Sequence, residues 1–383
     1  MQNVDVPNPW QKTPLIYSDA LSARLDADVY LKLEHIHPGY SFKQRSVGLL
    51  AREEVKKHGH TMHLVIASGG NAALAAAHAA QQLGVPCTVF IPIPSYKASI
   101  AEVLERFGAK ANGVGETYAE AQAQAEEYVA NHPNAVLVHP YDDPLLWQGA
   151  STLLDEIAEQ LPEHRNPPNA IVCCVGGGSL INGIMIGCER QKWNDTRIVA
   201  VETVGSDTLY HTTLASEDPS YKPREGVSLV KEKETGITKA HCVPTSRATS
   251  LGASYTASGA ARRVLEKRAI DKNLVTVVDV PDELAMAGCL RLADDHKTLV
   301  ELAAGSTLSV AYEPSLFNKV FPPIANPTKG WPSRRTLVFI VCGGFKISVK
   351  DLASYQEHLA SCAGTPLDVW VDGENLKVET LAL

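Results

Sequence analysis

Short, unbroken apolar runs alternate with alanine-rich amphipathic stretches through much of the chain. "HLVIAS" (63–68) leads into "GGNAALAAAHAAQQLG" (69–84), "PCTVFIP" (86–92) into "SYKASIAEVLERFG" (95–108), and "NAIVCCV" (169–175) into "GGGSLINGIMIGCERQ" (176–191). "RIVAVET" (197–203) continues the series, and "TLVFIVCGG" (336–344) is the last strand of this kind. Val- and Ile-rich runs without polar alternation are typical of strands buried on both faces of a parallel sheet. Strand alternating with helix predicts an open α/β architecture. Gly84 and Gly108 stand where helix C-caps are expected, because glycine takes the left-handed backbone there at no steric cost. Pro-rich breaks fall at 162–168, after the helical run 145–160, and at 321–335. Alternating residues around Asp372-Gly373 predict a terminal hairpin.

Composition narrows the function classes. The 383 residues suffice for a large core and more than one domain, and 45% hydrophobic with 20% charged residues is the balance of an ordered globular protein. A net charge of −8 without a long basic run argues against a dedicated nucleic-acid binder, whose affinity rests on Lys and Arg neutralising phosphates. No basic-then-apolar leader opens the chain, and no apolar run approaches the ~20 residues that span a bilayer. A soluble, cytoplasmic protein is the expectation. The eight cysteines include no C-x-x-C pair, and the thirteen histidines include no H-E-x-x-H spacing. Neither a zinc site nor a disulfide framework is signalled. Cys173 and Cys174, adjacent in an apolar run, read as small core residues.

Ligands of open α/β sheets bind beyond the carboxyl ends of the strands, and four stretches lie there. "VGGGSL" (175–180) joins a strand to a helix. Its glycines admit close backbone approach, and the helix start offers free N–H groups, which suits a phosphate. A tight turn packed on the sheet is the plainer alternative. A dinucleotide fingerprint is incomplete, since Ile181 stands where a third glycine belongs, although Glu202 follows at a suitable distance. "ASGGNAALAAA" (67–77) places Ser68 and Asn71 at another helix start, which suits either a carboxylate receptor or simple capping. "VCGG" puts Cys342 at a strand end, where a buried small hydrophobe is the ordinary reading. Lys43 in "GYSFKQRS" (39–46) follows an extended-looking run, "VYLKLEHIHP". It is either a solvated loop cation or a buried amine of depressed pKa able to bond a carbonyl carbon.

Taken together and in this order, "SFKQR", "SGGNAALAAAHAAQQLGVP", "VGGGSL" and "VCGG" resemble the pyridoxal phosphate enzymes of fold type II. Within them the chain is most similar to the eukaryotic-type L-serine/L-threonine dehydratase family. The similarity runs from "TPLIYSDALSARLDADVYLKLEH" to "VCGGFKISVKDL" and takes in "AVETVGSDTL" and "LVELAAGSTLSVAY". The resemblance implies two open α/β domains with mostly parallel sheets and the cofactor in the cleft between them. The large domain would comprise 1–40 plus 149–383, the small one 41–148, with an additional C-terminal segment at 362–383. Lys43 would hold the cofactor aldehyde covalently and then act as base on the substrate Cα proton. Phe42 would pack on the pyridine ring. Gly176, Gly177, Gly178, Ser179 and Leu180 would bind the phosphate, and Asn71 the ring hydroxyl. Ser68, Gly69, Asn71 and Ala72 would hold the substrate carboxylate. Cys342 would face the pyridine nitrogen as a weak donor, leaving the ring neutral and favouring prompt loss of a β-hydroxyl. A monovalent cation, K+, would map to Glu202, Ser206, Gly176, Leu251 and Ala253. The family is usually dimeric, which makes a homodimer the expectation.

The implied reaction converts serine to pyruvate, or threonine to 2-oxobutanoate, with release of ammonia. Another fold-type-II chemistry stays open: a cysteine synthase, a racemase or a hydroxy-aspartate dehydratase. So does a weakly catalytic amino-acid or cofactor binder. Three departures from the family bear on this. Gly69 is expected to leave more room above the cofactor. "ELAAG" (301–305) stands where relatives have Pro-Ala-Cys-Gly after the glutamate, and the segment 214–244 is hard to align.

Overall fold

A computed structural model describes residues 6–139, 141–323 and 334–379. In chain order its strands are β1 (Leu15–Tyr17), β2 (Asp28–Leu33), β3 (His63–Ala67), β4 (Cys87–Ile91), β5 (Lys110–Gly113), β6 (Ala135–Val138), β7 (Ala170–Cys174), β8 (Arg197–Thr203), β9 (Val227–Lys231), β10 (Thr238–Cys242), β11 (Val275–Val280), β12 (Thr336–Val341), β13 (Pro366–Val371) and β14 (Glu374–Glu379). A four-stranded parallel sheet has the order β5-β4-β3-β6. An eight-stranded sheet has the order β1-β2-β12-β7-β8-β11-β13-β14. Its centre, from β2 to β11, is parallel. Only β1 at one edge and β13–β14 at the other run antiparallel. This is the mostly parallel α/β architecture that the apolar runs predicted.

The strands are buried because both faces are covered. Along β3, Leu64 and Ile66 pack with the helical layer, whereas Val65 and Ala67 meet Phe90, Ala121 and Ala125 on the opposite face, the alternation that a period of two imposes. The alanines of helix Asn71–Leu83 are buried along nearly its whole length, so the small side chain serves close packing as well as helix propensity. That helix ends at Gly84 with φ 66°, as expected for a C-cap. The next helix, Ala98–Arg106, begins later than the run 95–108 suggested, because Pro94 sits in a 3₁₀ turn at Ile93–Ser95.

Two further expectations change in detail. The run "VYLKLEHIHP" is extended only to Leu33, then turns through a 3₁₀ helix at Glu34–Ile36. Lys43 therefore does not end a strand; it begins helix Lys43–His58. The C-terminal hairpin does form, with Asp372 at φ 50° and Gly373 at φ 90°, the left-handed pair that a tight hairpin turn needs. It adds to the large sheet, pairing Val371 with Val278 and Trp370 with Asp279. The segment 214–244 carries the separate hairpin β9–β10. Residues 324–333 of the second Pro-rich break, and 380–383 of the tail, lie outside the described residues.

A buried ion cluster joins the two sheets. Arg45 is fully buried and donates to Glu34 (Nε–Oε2 2.7 Å, Nη2–Oε1 2.9 Å) and to Glu156 (Nη1–Oε1 2.6 Å, Nη2–Oε2 2.7 Å). Lys32, also fully buried, adds a 2.6 Å bond to Glu156, and Thr13 Oγ1 bonds Glu34 at 2.7 Å. Burial alone would raise the Glu34 carboxyl; the Arg45 guanidinium, with His37, more than offsets it and holds the group well below the usual carboxylate range. Ion pairs of this kind are neutral to stability when replaced whole but costly when one partner is removed. Arg45→Met leaves Glu34 fully buried without its guanidinium, and Glu156 with Lys32 as its remaining cation. We expect a loss of about 3–5 kcal/mol, read as the shift of the chemical denaturation midpoint. The sign of the pH effect follows from the depressed Glu34 value. The stabilisation is present above the unfolded carboxyl's pKa and is lost as pH falls through the folded one. Acid should therefore destabilise the unsubstituted protein more than the variant.

Candidate active site

The four motif stretches converge where the parallel strands end. The 40–43 loop is stitched to the turn after β12: Phe42 N–H donates to Cys342 O at 3.0 Å, and Gly344 N–H to Tyr40 O at 3.0 Å. Lys43, half-buried at its helix start, donates from Nζ to Ser179 Oγ at 2.8 Å. Ser179 and Leu180 are the first residues of helix Ser179–Gln191, whose N-cap is Gly178 at φ 93°. Lys43 thus meets the glycine-rich loop directly. Phe42 is partly buried against the core, with its ring 5.1 Å from Lys43 Nζ. Burial lowers the Lys43 amine to about 8, while the neighbouring Cys174 sulfur opposes that shift.

The glycine loop is shaped as a cradle. A Cβ on Gly177 would lie 2.4 Å from the Tyr141 ring, and one on Gly178 would lie 2.7 Å from Ala260 Cβ. Only glycine fits at these two positions, and beyond them the helix start leaves its first N–H groups without intrahelical partners. The donors and the space fit a phosphate.

The second loop lies opposite. Ser68 Oγ accepts from Gly70 N–H at 3.3 Å, and helix Asn71–Leu83 begins without any side-chain cap, so the N–H groups of Asn71 and Ala72 are available to a ligand. Asn71 Nδ2 donates to Glu301 Oε1 at 2.8 Å. The extra room expected at Gly69 is not open space: a Cβ there would come within 2.8 Å of Ser95 Cβ and 3.2 Å of Ile91 Cγ2. The 3₁₀ turn carrying Ser95 fills that volume.

Cys342 is buried directly after β12, with its Sγ 3.3 Å from Cys174 Sγ at the end of β7. Its thiol is raised well above the usual value by the hydrogen bond with Cys174 and by burial, with Glu301 adding to both. Cys342 is therefore a neutral thiol. Cys173 and Cys174 are both core residues as expected, but only Cys174 reaches the site.

The residues matched to a cation fall in two groups. Glu202, at the end of β8, is buried and accepts from Leu209 N–H (3.0 Å) and Tyr210 N–H (2.6 Å) at the start of helix Thr208–Glu217. Burial, then Asp207 and Asp279, raises its carboxyl well above the usual range. Ser206 Oγ is buried with no hydrogen-bond partner among the described residues. In the second group, a Cβ on Gly176 would lie 3.0 Å from Leu251 O, and that carbonyl accepts from Ala253 N–H at 2.7 Å.

Sequence reasoning gave no role in the site to four residues here: Cys174, Tyr141, Glu301 and Lys346. Glu301 is buried, begins helix Leu302–Tyr312, and accepts from both Asn71 Nδ2 and Lys346 N–H. An acid at the head of the apolar run "ELAAG" was the available signal for it.

An amine of lowered basicity, held against a glycine-rich helix start at the ends of parallel strands, defines an α/β enzyme that captures a phosphate-bearing carbonyl cofactor. The comparisons agree with that class. Residues 6–319 match the model of the family described as "Pyridoxal-phosphate dependent enzyme". The chain belongs to this family. It is 34% identical over 348 residues to the human L-serine dehydratase/L-threonine deaminase, covering 91% of this chain and 95% of the relative. It is also 34% identical over 365 residues to an L-serine dehydratase of Saccharomyces cerevisiae (strain AWRI1631), covering 91% and 98%. Among solved structures it is similar to a fungal L-serine ammonia-lyase from Rhizomucor miehei, with TM-score 0.76, 30% identity, and 92% and 99% of the chains covered.

The lowered amine has a measurable consequence. The neutral form is the nucleophile, and its fraction falls tenfold per pH unit below the pKa. Capture of pyridoxal phosphate by cofactor-free protein should therefore rise with pH and level off above about 8. Borohydride trapping followed by peptide mass analysis would place the label on residue 43. A rate still climbing toward the ordinary lysine value, or a label retained in Lys43→Ala, would contradict this assignment.

Proposed function

We propose that the protein is a pyridoxal phosphate-dependent ammonia-lyase acting on L-serine or L-threonine. The observation that carries this reading is the contact of the Lys43 amine with Ser179 at the head of the glycine loop. It occurs in a chain whose relatives along nearly their full length are named for serine and threonine deamination. When bound, the cofactor supplies an aldehyde for an amine and a conjugated ring that draws electrons from Cα. The residues of this chain do the rest. Gly176, Gly177 and Gly178, with Ser179 and Leu180, hold the phosphate through backbone N–H groups and the helix dipole. Ser68, Gly69, Asn71 and Ala72 would receive the α-carboxylate, with Asn71 also serving the ring hydroxyl, and Phe42 would cover one ring face.

Lys43, its basicity lowered by burial, takes the proton from Cα. Cys342 would be the partner of the pyridine nitrogen. A neutral thiol with a raised pKa cannot hold that nitrogen protonated as an aspartate would. The bound ring would then be a modest electron sink, and charge on Cα would be relieved by loss of the β-hydroxyl, which would take up a proton and leave as water. Water then adds back as ammonia leaves, giving pyruvate from serine or 2-oxobutanoate from threonine. A K+ ion bound by Glu202, Ser206, Gly176, Leu251 and Ala253 belongs to the same reading. The buried Ser206 hydroxyl, with no partner among the described residues, and the close approach of the Gly176 and Leu251 backbones support it. A homodimer also belongs to this reading, with the C-terminal segment contributing to it. The domain division at 41–148 is consistent with this assignment, since the four-stranded sheet lies wholly within it.

The test is keto-acid release over a panel of L- and D-amino acids. We expect release from L-serine or L-threonine, and a fall of at least about 10³-fold in Lys43→Ala, the scale of losing a positioned base. A racemised product, a β-substituted product, or release from 3-hydroxyaspartate alone would assign a different reaction to the same fold. Bound cofactor with no turnover at all would mark a binding protein.

A further inference from the structure

The turn after β12 brings a second lysine to the strand ends. Lys346 is half-buried and donates from Nζ to Thr249 Oγ1 at 3.0 Å. Its side chain lies against Gly70: a Cβ on that glycine would come within 3.0 Å of Lys346 Cε and 3.1 Å of its Nζ. Gly70 is the N-cap of helix Asn71–Leu83, the end that no side chain caps. An ammonium and the open N–H groups of a helix start therefore lie together. Glu301 braces them, because it accepts from Asn71 Nδ2 at 2.8 Å and from Lys346 N–H at 3.3 Å. The Asn71 loop and the backbone of residue 346 are thereby tied to one carboxylate. Burial lowers the Lys346 amine, Glu301 opposes that shift, and Lys97 reinforces it.

A lysine drawn out of water needs charge as well as a hydrogen bond to compensate. Thr249 supplies the hydrogen bond, and Glu301 supplies nearby charge but bonds the Lys346 main-chain N–H and not its ammonium. The hydrogen bonds of Glu301 in this corner go to Asn71 and to main chain. An anion seated at the helix start would complete the set. We propose that Lys346 determines substrate binding by pairing its ammonium with the α-carboxylate received by the 68–72 loop. The inference rests on the reading of that loop as the carboxylate receptor, and it adds a full positive charge to a receptor otherwise made of dipoles. The site then discriminates a free carboxylate from a neutral amide more sharply than backbone donors alone would, because a charge-assisted bond is about twice as strong as a neutral one.

Equilibrium binding to the cofactor-loaded protein, followed by the absorbance of the bound cofactor, separates this role from a structural one. L-alanine carries the carboxylate but no β-leaving group; L-alaninamide lacks the charge. In Lys346→Met, the Kd of L-alanine and the KM of L-serine should rise by about 10- to 100-fold, the scale of one hydrogen bond to a charged group. The kcat should stay within about threefold, and L-alaninamide binding should weaken far less than that of L-alanine. Lys346→Arg keeps the charge and should recover most of the loss; it also shows whether the methionine variant fails merely through misfolding. L-alanine affinity equal in Lys346→Met and the unsubstituted protein, or an equal loss for L-alanine and L-alaninamide, would overturn the proposal. Keto-acid release by the unsubstituted protein alongside either result would leave the lyase intact and remove Lys346 from its site. Absence of release from every amino acid would instead overturn the lyase reading.

Discussion

The guanidinium of Arg45 joins pieces of chain that are distant in sequence and would otherwise have no reason to meet. It binds Glu34 just after β2 of the large sheet, Glu156 on helix Pro144–Gln160, and Thr13 near the start of the chain. It sits two residues after Lys43 on the same helix. The cluster therefore holds the first turn of that helix against the large sheet, while the rest of the helix packs with Asn71–Leu83 beside the small one. Close packing reinforces this position. A Cβ on Gly149 would come within 2.4 Å of Arg45 O, so helix Pro144–Gln160 approaches the Arg45 backbone without an intervening side chain. A buried charge cluster contributes little net stability, but losing one member is severe. Its value here is geometric: it fixes the helix start from which Lys43 reaches Ser179.

From that placement the electrostatics of the site follow by burial and neighbours. Two cationic groups two residues apart respond oppositely to their surroundings. The Lys43 amine, donating to Ser179, is lowered by burial to about 8. The Arg45 guanidinium, wrapped by two carboxylates, is raised. Cys342, facing another sulfur and Glu301 in a buried setting, is raised and stays neutral. A base near neutrality beside a neutral thiol is an environment suited to proton abstraction and expulsion of a leaving group. The same reasoning extends to Lys346, where burial lowers the amine and a helix start offers room for an anion.

Much of this was legible in the chain. Continuous apolar runs announce strands covered on both faces, so the parallel centre of each sheet, helix Asn71–Leu83 and the glycine loop could be read directly. Asp372-Gly373 marks its own turn, since few other pairs accept two left-handed residues. The motifs around Lys43, Asn71, Gly176 and Cys342 could be read because close ligand approach demands particular residue types at short spacing.

What the sequence could not convey depends on side chains far apart in it. Arg45 and Glu156 stand 111 positions apart, Cys174 and Cys342 stand 168 apart, and Asn71 and Glu301 stand 230 apart. No local pattern links such pairs, because each partner satisfies its own segment's periodicity equally well alone. The start of the Lys43 helix, the closure of space at Gly69 by Ser95, and the approach of Lys346 to Gly70 are likewise consequences of packing between elements. The sequence determined which strands and loops exist and which residue types lie at their ends. The tertiary structure decided which of those ends meet, because burial, charge pairing and close approach arise only once the two sheets and their helices share a core.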